Sequence, residues 1–155
     1  MTRPFSRGRR FAVAGAAFAI ALLLFRTQVA ESLVVRGDDL FYRGQSIAAL
    51  EHYERALFLD PALPSGADRV FFVSIQERSP EVRAQAAAAV ARALRRHPED
   101  PALLADRALY EVMRRHYADA ERDYAAAGAA AGNSQDLAFA RWAARHARNR
   151  AGALR

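Results

Sequence analysis

The sequence predicts an all-α protein, built as a solenoid of antiparallel helix pairs behind one apolar N-terminal helix. Three observations support this fold class. Ala, Leu, Arg and Glu dominate the chain, whereas Gly and Pro are sparse and lie largely between helical stretches. A pattern of small and large apolar residues recurs along the sequence at offsets of 37 and 71 residues. Residues 11–25 form a run of fifteen residues without a polar side chain.

The apolar run follows a basic segment, residues 1–10, and two interpretations of it compete. Fifteen apolar residues are fewer than the roughly 20 that usually span a bilayer, and the length also suits a signal peptide. A cleavage site after Ala30 would place Gln28 where a small residue is required, which disfavours cleavage. We therefore expect residues 11–29 to form a retained transmembrane or signal-anchor helix, with Arg26 reaching the headgroups.

Charge asymmetry predicts the orientation of this helix. Four arginines precede the apolar run, and no acidic residue lies among the first 26 residues. By the positive-inside rule, the N-terminus is expected in the cytoplasm and the repeat domain outside it. The predicted location is the bacterial inner (cytoplasmic) membrane, crossed once, with the repeat domain in the periplasm.

The repeated pattern alternates small residues with aromatic or bulky ones. In residues 36–61, Gly37 marks a close approach of two helices, Gly44 marks the turn, and Pro61 follows the end of the second helix. The same three core positions recur in three copies: Ala49, Tyr53 and Ala56; Ala86, Val90 and Ala93; Ala120, Tyr124 and Ala127. This pattern resembles the tetratricopeptide repeat (TPR), a helix–turn–helix unit of about 34 residues.

The resemblance implies about three TPR-like repeats, because one such unit cannot bury its apolar face alone. The expected repeats are residues 30–63, 64–100 and 101–133, followed by a capping helix and basic tail, 134–155. Helices are predicted over residues 31–42, 46–59, 67–77, 80–96, 102–114, 117–127 and 134–149. The anchor is expected to continue into the first of them, because residues 26–33 contain neither Pro nor Gly. Trp142 or Phe139 is expected to close the last repeat.

Signs of catalysis are weak in this sequence. It contains no Cys, no Gly-rich phosphate loop, no nucleophile elbow and no zinc-ligand spacing, and its four His residues lie far apart. Residues 27–140 hold 13 Arg and 17 Asp or Glu residues, which argues against a nucleic-acid-binding domain. We expect no enzyme activity, cofactor, metal or small-molecule substrate.

The resemblance implies that the first helix of each repeat lines a partner-binding groove. The candidate groove residues are Val34, Asp38, Phe41, Tyr42, Phe71, Ile75, Asp106, Leu109 and Met113. Phe71 and its neighbour Phe72 compete for the groove position in the second repeat. Asp106 stands where a TPR subgroup that grips C-terminal carboxylates has Asn, so an apolar or basic peptide, or a partner helix, is the expected ligand.

These observations predict a membrane-tethered scaffold or assembly factor that holds a protein partner in the groove. The alternative is a non-catalytic accessory subunit of a larger membrane protein complex. The basic C-terminal residues 141–155 leave three interpretations open: a solvated face, a contact to an acidic protein, or a contact to anionic lipid.

Overall fold

The computed structural model describes residues 7–76, 79–132 and 135–153, and within these ranges the protein is helical without any strand. The seven helices of this part of the chain are α1 (Arg7–Tyr42), α2 (Ser46–Leu59), α3 (Pro64–Ser74), α4 (Pro80–Leu94), α5 (Pro101–Met113), α6 (Tyr117–Ala130) and α7 (Gln135–Ala153). The all-α prediction is confirmed. The predicted helix ends at Glu77 and Ser134, and Arg155 of the basic tail, lie outside the described residues.

Helix α1 is a single rod of 36 residues that runs from the apolar segment into the packed part of the protein. Residues 12–25 are exposed along all of their length. The stretch Ala12–Tyr42 contains an 18-residue window with a mean hydropathy of 1.8. By length and composition, therefore, the protein has an N-terminal helix able to cross a membrane.

Local capping signals set the starts of the middle helices. The Ser79 hydroxyl accepts a hydrogen bond from the Val82 amide, with Pro80 as the first helical residue of α4. Asp100 accepts from two amides at the start of α5, where Pro101 takes the same position. Helix α3 begins at Pro64, three residues before the predicted start, because Pro is compatible with the first helical turn.

Each helix packs against the next one in sequence, and α3 also contacts both α1 and α5. Thr27, which follows the apolar segment within α1, hydrogen-bonds to Asp60 after the end of α2. Tyr53 of α2 hydrogen-bonds to Asp38, nearer the C-terminal end of α1. Helix α2 therefore runs back along α1 towards the apolar segment. Ser65 of α3 bonds to Glu31, so α3 starts at that same end and runs away from it.

The buried residues form two clusters. The larger one draws on α1 to α6 and includes Tyr53, Phe71 and Leu103 as its largest fully buried apolar side chains. The smaller one joins α5, α6 and α7, and its buried members are Ala108, Ala120, Tyr124 and Ala144. All nine positions of the repeated sequence pattern are buried, at 8% exposure or less.

Gly37 explains how α1 and α2 approach so closely. A Cβ atom placed on Gly37 would lie 2.4 Å from Cε1 of Tyr53, so the ring packs directly on the α1 backbone. Tyr53 is fully buried and its hydroxyl donates to Asp38 at 2.8 Å. The ring is thus fixed at both ends, and no larger residue fits at position 37.

Helix α7 packs with a different side from the one predicted. Phe139 and Trp142 are 66% and 56% exposed, and their rings stack on each other 5.7 Å apart. Leu137, Ala140 and Ala144 pack on the smaller cluster instead. Because these three residues share one side of the helix, at 100° per residue, the two aromatic rings must face away from it. The prediction that Trp142 or Phe139 closes the last repeat is wrong.

Candidate functional site

Three of the predicted groove residues lie together at the distal end of α1. Asp38, Phe41 and Tyr42 line a cavity of about 230 Å³, whose other walls come from α2 and α3. The lining residues beyond the predicted three are Tyr53, Arg69, Phe72 and Val73. We call this cavity the aromatic pocket, because exposed rings form its rim and an ion pair forms its polar wall.

The rim of the aromatic pocket is built by ring contacts between α1 and α3. The Phe41 ring meets the Phe72 ring edge to face, with centroids 5.7 Å apart, and meets the Tyr42 ring in the same manner at 6.2 Å. Tyr42 is 84% exposed and Phe72 is 46% exposed. Large apolar rings that remain this accessible around a cavity are available for contact with another molecule.

The polar wall of the pocket is centred on Asp38. One carboxylate oxygen, Oδ1, accepts hydrogen bonds from the Tyr53 hydroxyl and from Nε of Arg69, both at 2.8 Å. Burial, followed by the hydrogen bond to Asp38, raises the pKa of the Tyr53 phenol. The hydrogen bond to Asp38 is also the main cause of the raised pKa of Arg69. Tyr53 therefore stays a donor and Arg69 stays charged.

The polar contacts continue from α3 to α5. Arg69 also donates from Nη1 to Asp68 at 2.6 Å. Asp68 shares a hydrogen bond with Asp106 of α5, and the second oxygen of Asp106 is buried without a partner among the described residues. We call Asp38, Arg69, Asp68 and Asp106 the aspartate–arginine chain. It connects α1, α3 and α5, the first helices of the three expected repeats.

The surroundings of Asp106 disfavour its ionised form. Burial, and then the neighbouring Asp68 carboxylate, raise the pKa of Asp106 to about 8. Burial is also the largest cause of the raised pKa of Asp68, which Arg69 opposes. The two carboxyl groups therefore share a proton near neutral pH, with Asp106 holding it. The raised pKa of Asp106 means that this residue carries less negative charge at neutral pH than an ordinary aspartate.

The remaining predicted groove residues do not join this site. Val34 and Phe71 are 3% and 1% exposed, so both belong to the core, and their expected contact with a partner is corrected on that ground. Ile75 and Leu109 are partly buried against the same core. Met113, at 39% exposure, lies at the end of α5.

Sequence reasoning missed Arg69 and Asp68, and it chose the buried Phe71 over the accessible Phe72. The adjacent pair Phe71 and Phe72 did carry a signal, because two neighbouring residues on a helix point about 100° apart and both cannot face the same core. Nothing in the residue pattern indicated which ring is buried. The ion pair between Arg69 and Asp38 joins residues 31 positions apart, so no local spacing announces it.

Three potential metal ligands also lie close together, at the distal end of α5. Ligand atoms of Glu111, His116 and Asp119 lie within 4.8 Å of one another. Each carboxylate is already paired with an arginine, since Arg114 lies 3.7 Å from Glu111 and Arg122 lies 3.0 Å from Asp119. His116 Nδ1 contacts Glu111 at 2.8 Å. These contacts describe an exposed ion-pair cluster whose acids are occupied by cations of the protein itself.

The fold and site define an all-helical protein with one potential membrane helix and an aromatic pocket on its packed domain. Comparison of the chain with protein-family models, with curated proteins and with solved structures gave no match in any of the three.

Proposed function

We propose that this protein is a membrane-tethered scaffold or assembly factor, in which a TPR-like solenoid holds a partner protein next to the bilayer. Helix α1 serves as both the membrane anchor and the first helix of the solenoid. The partner binds across α1, α3 and α5, with the aromatic pocket as its main anchoring point. The anchor is retained in the mature protein, and the helical domain lies in the periplasm.

The helix contacts support the solenoid part of this proposal. Each helix touches its sequence neighbour, and the first helices of successive pairs touch each other, α1 with α3 and α3 with α5. The nine repeated positions are all buried. Stacked helix pairs of this kind bury a continuous core and leave one extended face for binding.

The observation that carries the binding proposal is the aromatic pocket. Tyr42 and Phe72 are exposed at its rim, Phe41 is partly buried and contacts both rings, and a fixed ion pair lies in the cavity wall. Aromatic residues are enriched in the cores of protein interfaces. The cavity is about the size of one or two side chains, so it suits an apolar anchor of a partner protein.

The charge of the site specifies the partner further. With Asp106 protonated, the aspartate–arginine chain carries two carboxylates and one guanidinium near neutral pH. The site thus has a net negative charge. We expect a partner segment that places an apolar side chain in the pocket and a basic side chain near Asp38 or Asp68. The site has the parts for binding and offers no arrangement of nucleophile and base for catalysis among the described residues.

Site-specific photo-crosslinking in intact membranes tests this proposal. A photoreactive residue replaces Tyr42 or Phe72 in the pocket, and matched variants carry it at Ile47 or Phe139, which are 81% and 66% exposed elsewhere. The expected result is one protein captured from both pocket positions and absent from the other two. Equal capture at all four positions, or none at the pocket, would overturn the binding site.

The same material separates the two roles left open by the sequence. After solubilisation in a mild detergent, a scaffold or assembly factor retains its partner in less than equimolar amount. An accessory subunit instead co-purifies with a fixed set of proteins in constant ratio. Quantitative mass spectrometry of the purified material measures this ratio.

A further inference from the structure

Residues 26–31 of α1 form hydrogen bonds with the connection between α2 and α3 and with the start of α3. The Arg26 guanidinium donates to the carbonyl of Leu59, and the Thr27 hydroxyl lies 3.2 Å from an oxygen of Asp60. Ser65, at the start of α3, donates to Glu31 at 3.0 Å. The connection is therefore held beside residues 26–31 of α1, directly after the exposed apolar segment.

The proposed function requires α1 to cross a membrane, and this places the α2–α3 connection close to the bilayer surface. The apolar run ends at Phe25, and the contacts begin one residue later. A helix rises about 1.5 Å per residue, so residues 26–31 extend roughly 9 Å along α1. The headgroup region adds about 5–8 Å on each side of the hydrocarbon core. The α2–α3 connection then lies at headgroup depth.

The connection between α4 and α5 lies at the same end of the domain. Arg96 comes within 3.9 Å of Asp60, which links the two connections. Residues 92–97, which lead up to this point, contain three arginines and no acidic residue, and Glu99 and Asp100 follow them. Arg92, Arg95, Arg96 and His97 are all exposed. We call residues 58–63 and 92–97 together the basal edge.

We propose that the basal edge is a second membrane contact, which rests on the surface of the bilayer and binds the phosphate groups of anionic lipids. Phe58 enters the interface between headgroups and acyl chains, and Arg92, Arg95 and Arg96 contact the headgroups. The proposal rests on the anchoring role of α1. It adds that the helical domain lies against the lipid in one fixed orientation, with the aromatic pocket turned away from the bilayer.

Exposure and charge on the basal edge agree with a lipid contact. The Phe58 ring is 83% exposed. It precedes Leu59, whose carbonyl accepts a hydrogen bond from Arg26, so the ring lies close to the end of the apolar segment. An exposed arginine near an anionic bilayer strengthens binding by about fivefold. Phosphate groups also match the planar guanidinium as hydrogen-bond acceptors.

The basic C-terminal helix is less suited to this contact. Arg145 and Arg148 of α7 lie 2.7 and 2.8 Å from Glu121 in the first half of α6. Leu137 of α7 lies beside Gly128, near the other end of α6. Because α6 starts at the end of the domain remote from the basal edge, these arginines are directed away from the bilayer. They also lie closer to Glu121 than Arg96 lies to Asp60.

Fluorescence quenching by brominated lipid tests the proposal on the full chain. The sequence has no Cys, so single cysteines label uniquely. An environment-sensitive dye is attached at Phe58→Cys or His97→Cys on the basal edge. Tyr42→Cys, 84% exposed at the opposite end, is the negative control, and Leu23→Cys in the apolar segment is the positive control. Each variant is reconstituted in nanodiscs of neutral or anionic phospholipid brominated near the headgroup end of the acyl chains.

The expected result is quenching at positions 23 and 58 in both lipids, quenching at 97 that increases in anionic lipid, and none at 42. Replacing Arg92, Arg95 and Arg96 with Gln should abolish the increase at position 97. Replacing Arg43, Arg114 and Arg115 with Gln removes the same charge from the opposite end and should leave it unchanged. Circular dichroism confirms that each variant folds, and Arg95→Gln alone replaces the triple variant if the latter does not.

The outcomes distinguish the basal-edge contact from the membrane-anchoring role of α1. Quenching at position 23 without quenching at 58 and 97 overturns the basal-edge contact and leaves the anchor intact. No quenching at position 23 overturns the anchoring role of α1 and the basal-edge contact with it. Equal quenching at 97 in neutral and anionic lipid overturns the proposed recognition of anionic headgroups.

Discussion

The first and the last helix pairs of this protein use the same sequence pattern but are held together by different interactions. Tyr53 packs on the bare backbone of Gly37 and donates to Asp38, and it is fully buried. Tyr124 takes the corresponding place 71 residues later, beside Ala108, and keeps 8% of its surface exposed. Position 108 therefore carries a methyl group at the place where position 37 leaves the backbone bare.

Polar contacts replace part of the apolar packing in the C-terminal pair. Asp123 is buried and accepts two hydrogen bonds from Arg107, at 2.7 and 2.8 Å. The buried members of the local cluster are otherwise alanines, apart from Tyr124. Apolar burial contributes free energy in proportion to area, and alanine offers little of it. The same repeat pattern is therefore stabilised by ring packing in the α1–α2 pair and by a buried ion pair in the α5–α6 pair.

Among substitutions in the two helix pairs, Gly37→Ala should lower the stability of the protein most. The new Cβ would meet a buried ring that is fixed by its hydrogen bond to Asp38. Overpacking of this kind costs about 1–3 kcal/mol, and we expect the upper end of that range. The measurement is thermal unfolding of the full chain in detergent, followed by circular dichroism.

Gly128→Ala is the matched control for this substitution. A Cβ on Gly128 would meet only Leu137, at 3.9 Å, which is an ordinary contact. We expect it to stabilise α6 by about 0.4–1 kcal/mol, because Ala restricts the unfolded chain more than Gly does. A Gly37→Ala variant as stable as this control would show that the α1–α2 packing is not as close as described.

Arg107→Met should come next, in the C-terminal pair. It retains much of the side-chain volume but leaves the buried Asp123 without its partner. A buried polar group without a partner costs about 1–3 kcal/mol, and the partial exposure of Arg107 places the effect in the lower half of that range. Urea unfolding monitored by circular dichroism measures it. The control is Arg122→Met, an exposed pair with Asp119, for which we expect at most about 0.5 kcal/mol.

The effect of Asp106→Asn on stability should grow as the pH rises from 3.8 to about 8. The folded state holds the Asp106 proton up to a pKa of about 8, whereas the ordinary value is 3.8. Between these values the folded state binds more protons than the unfolded state, so stability falls as pH rises and stops falling above about 8. The neutral amide removes this dependence.

We therefore expect Asp106→Asn to unfold at a higher temperature than the wild type at pH 9, with a smaller difference at pH 5. Asp119→Asn, an exposed carboxylate, serves as control and should follow the wild-type pH profile. Parallel profiles for the wild type and Asp106→Asn from pH 4 to 9 would contradict the shared proton between Asp68 and Asp106.

Trp142→Ala should have the smallest effect. The ring is 56% exposed and contacts Phe139 and His146 on the same helix. Surface substitutions of this kind usually change stability by about 0.5 kcal/mol or less. Trp142 is the single tryptophan, so its emission reports on this site directly, and a water-like maximum in the native state is expected. A strongly blue-shifted emission would instead place the ring in an interface.

Much of the local structure followed from the sequence because its causes are local. Ser79 and Pro80 define the start of α4, Asp100 and Pro101 that of α5, and each acts within its own first turn. The absence of Pro and Gly from residues 26–33 was enough to predict that the apolar segment continues into the first packed helix. The resemblance to TPR proteins stays a prediction.

Only the tertiary structure decided which side chains meet across helices. Phe71 and Phe72 are equivalent in sequence, and the position of α3 between α1 and α5 made one the core residue and the other part of the pocket rim. The same holds for Asp106, which became a protonated partner of Asp68 because α5 lies against α3. Helix rotation and burial depend on all neighbouring helices at once, whereas capping and periodicity depend on the few residues around them.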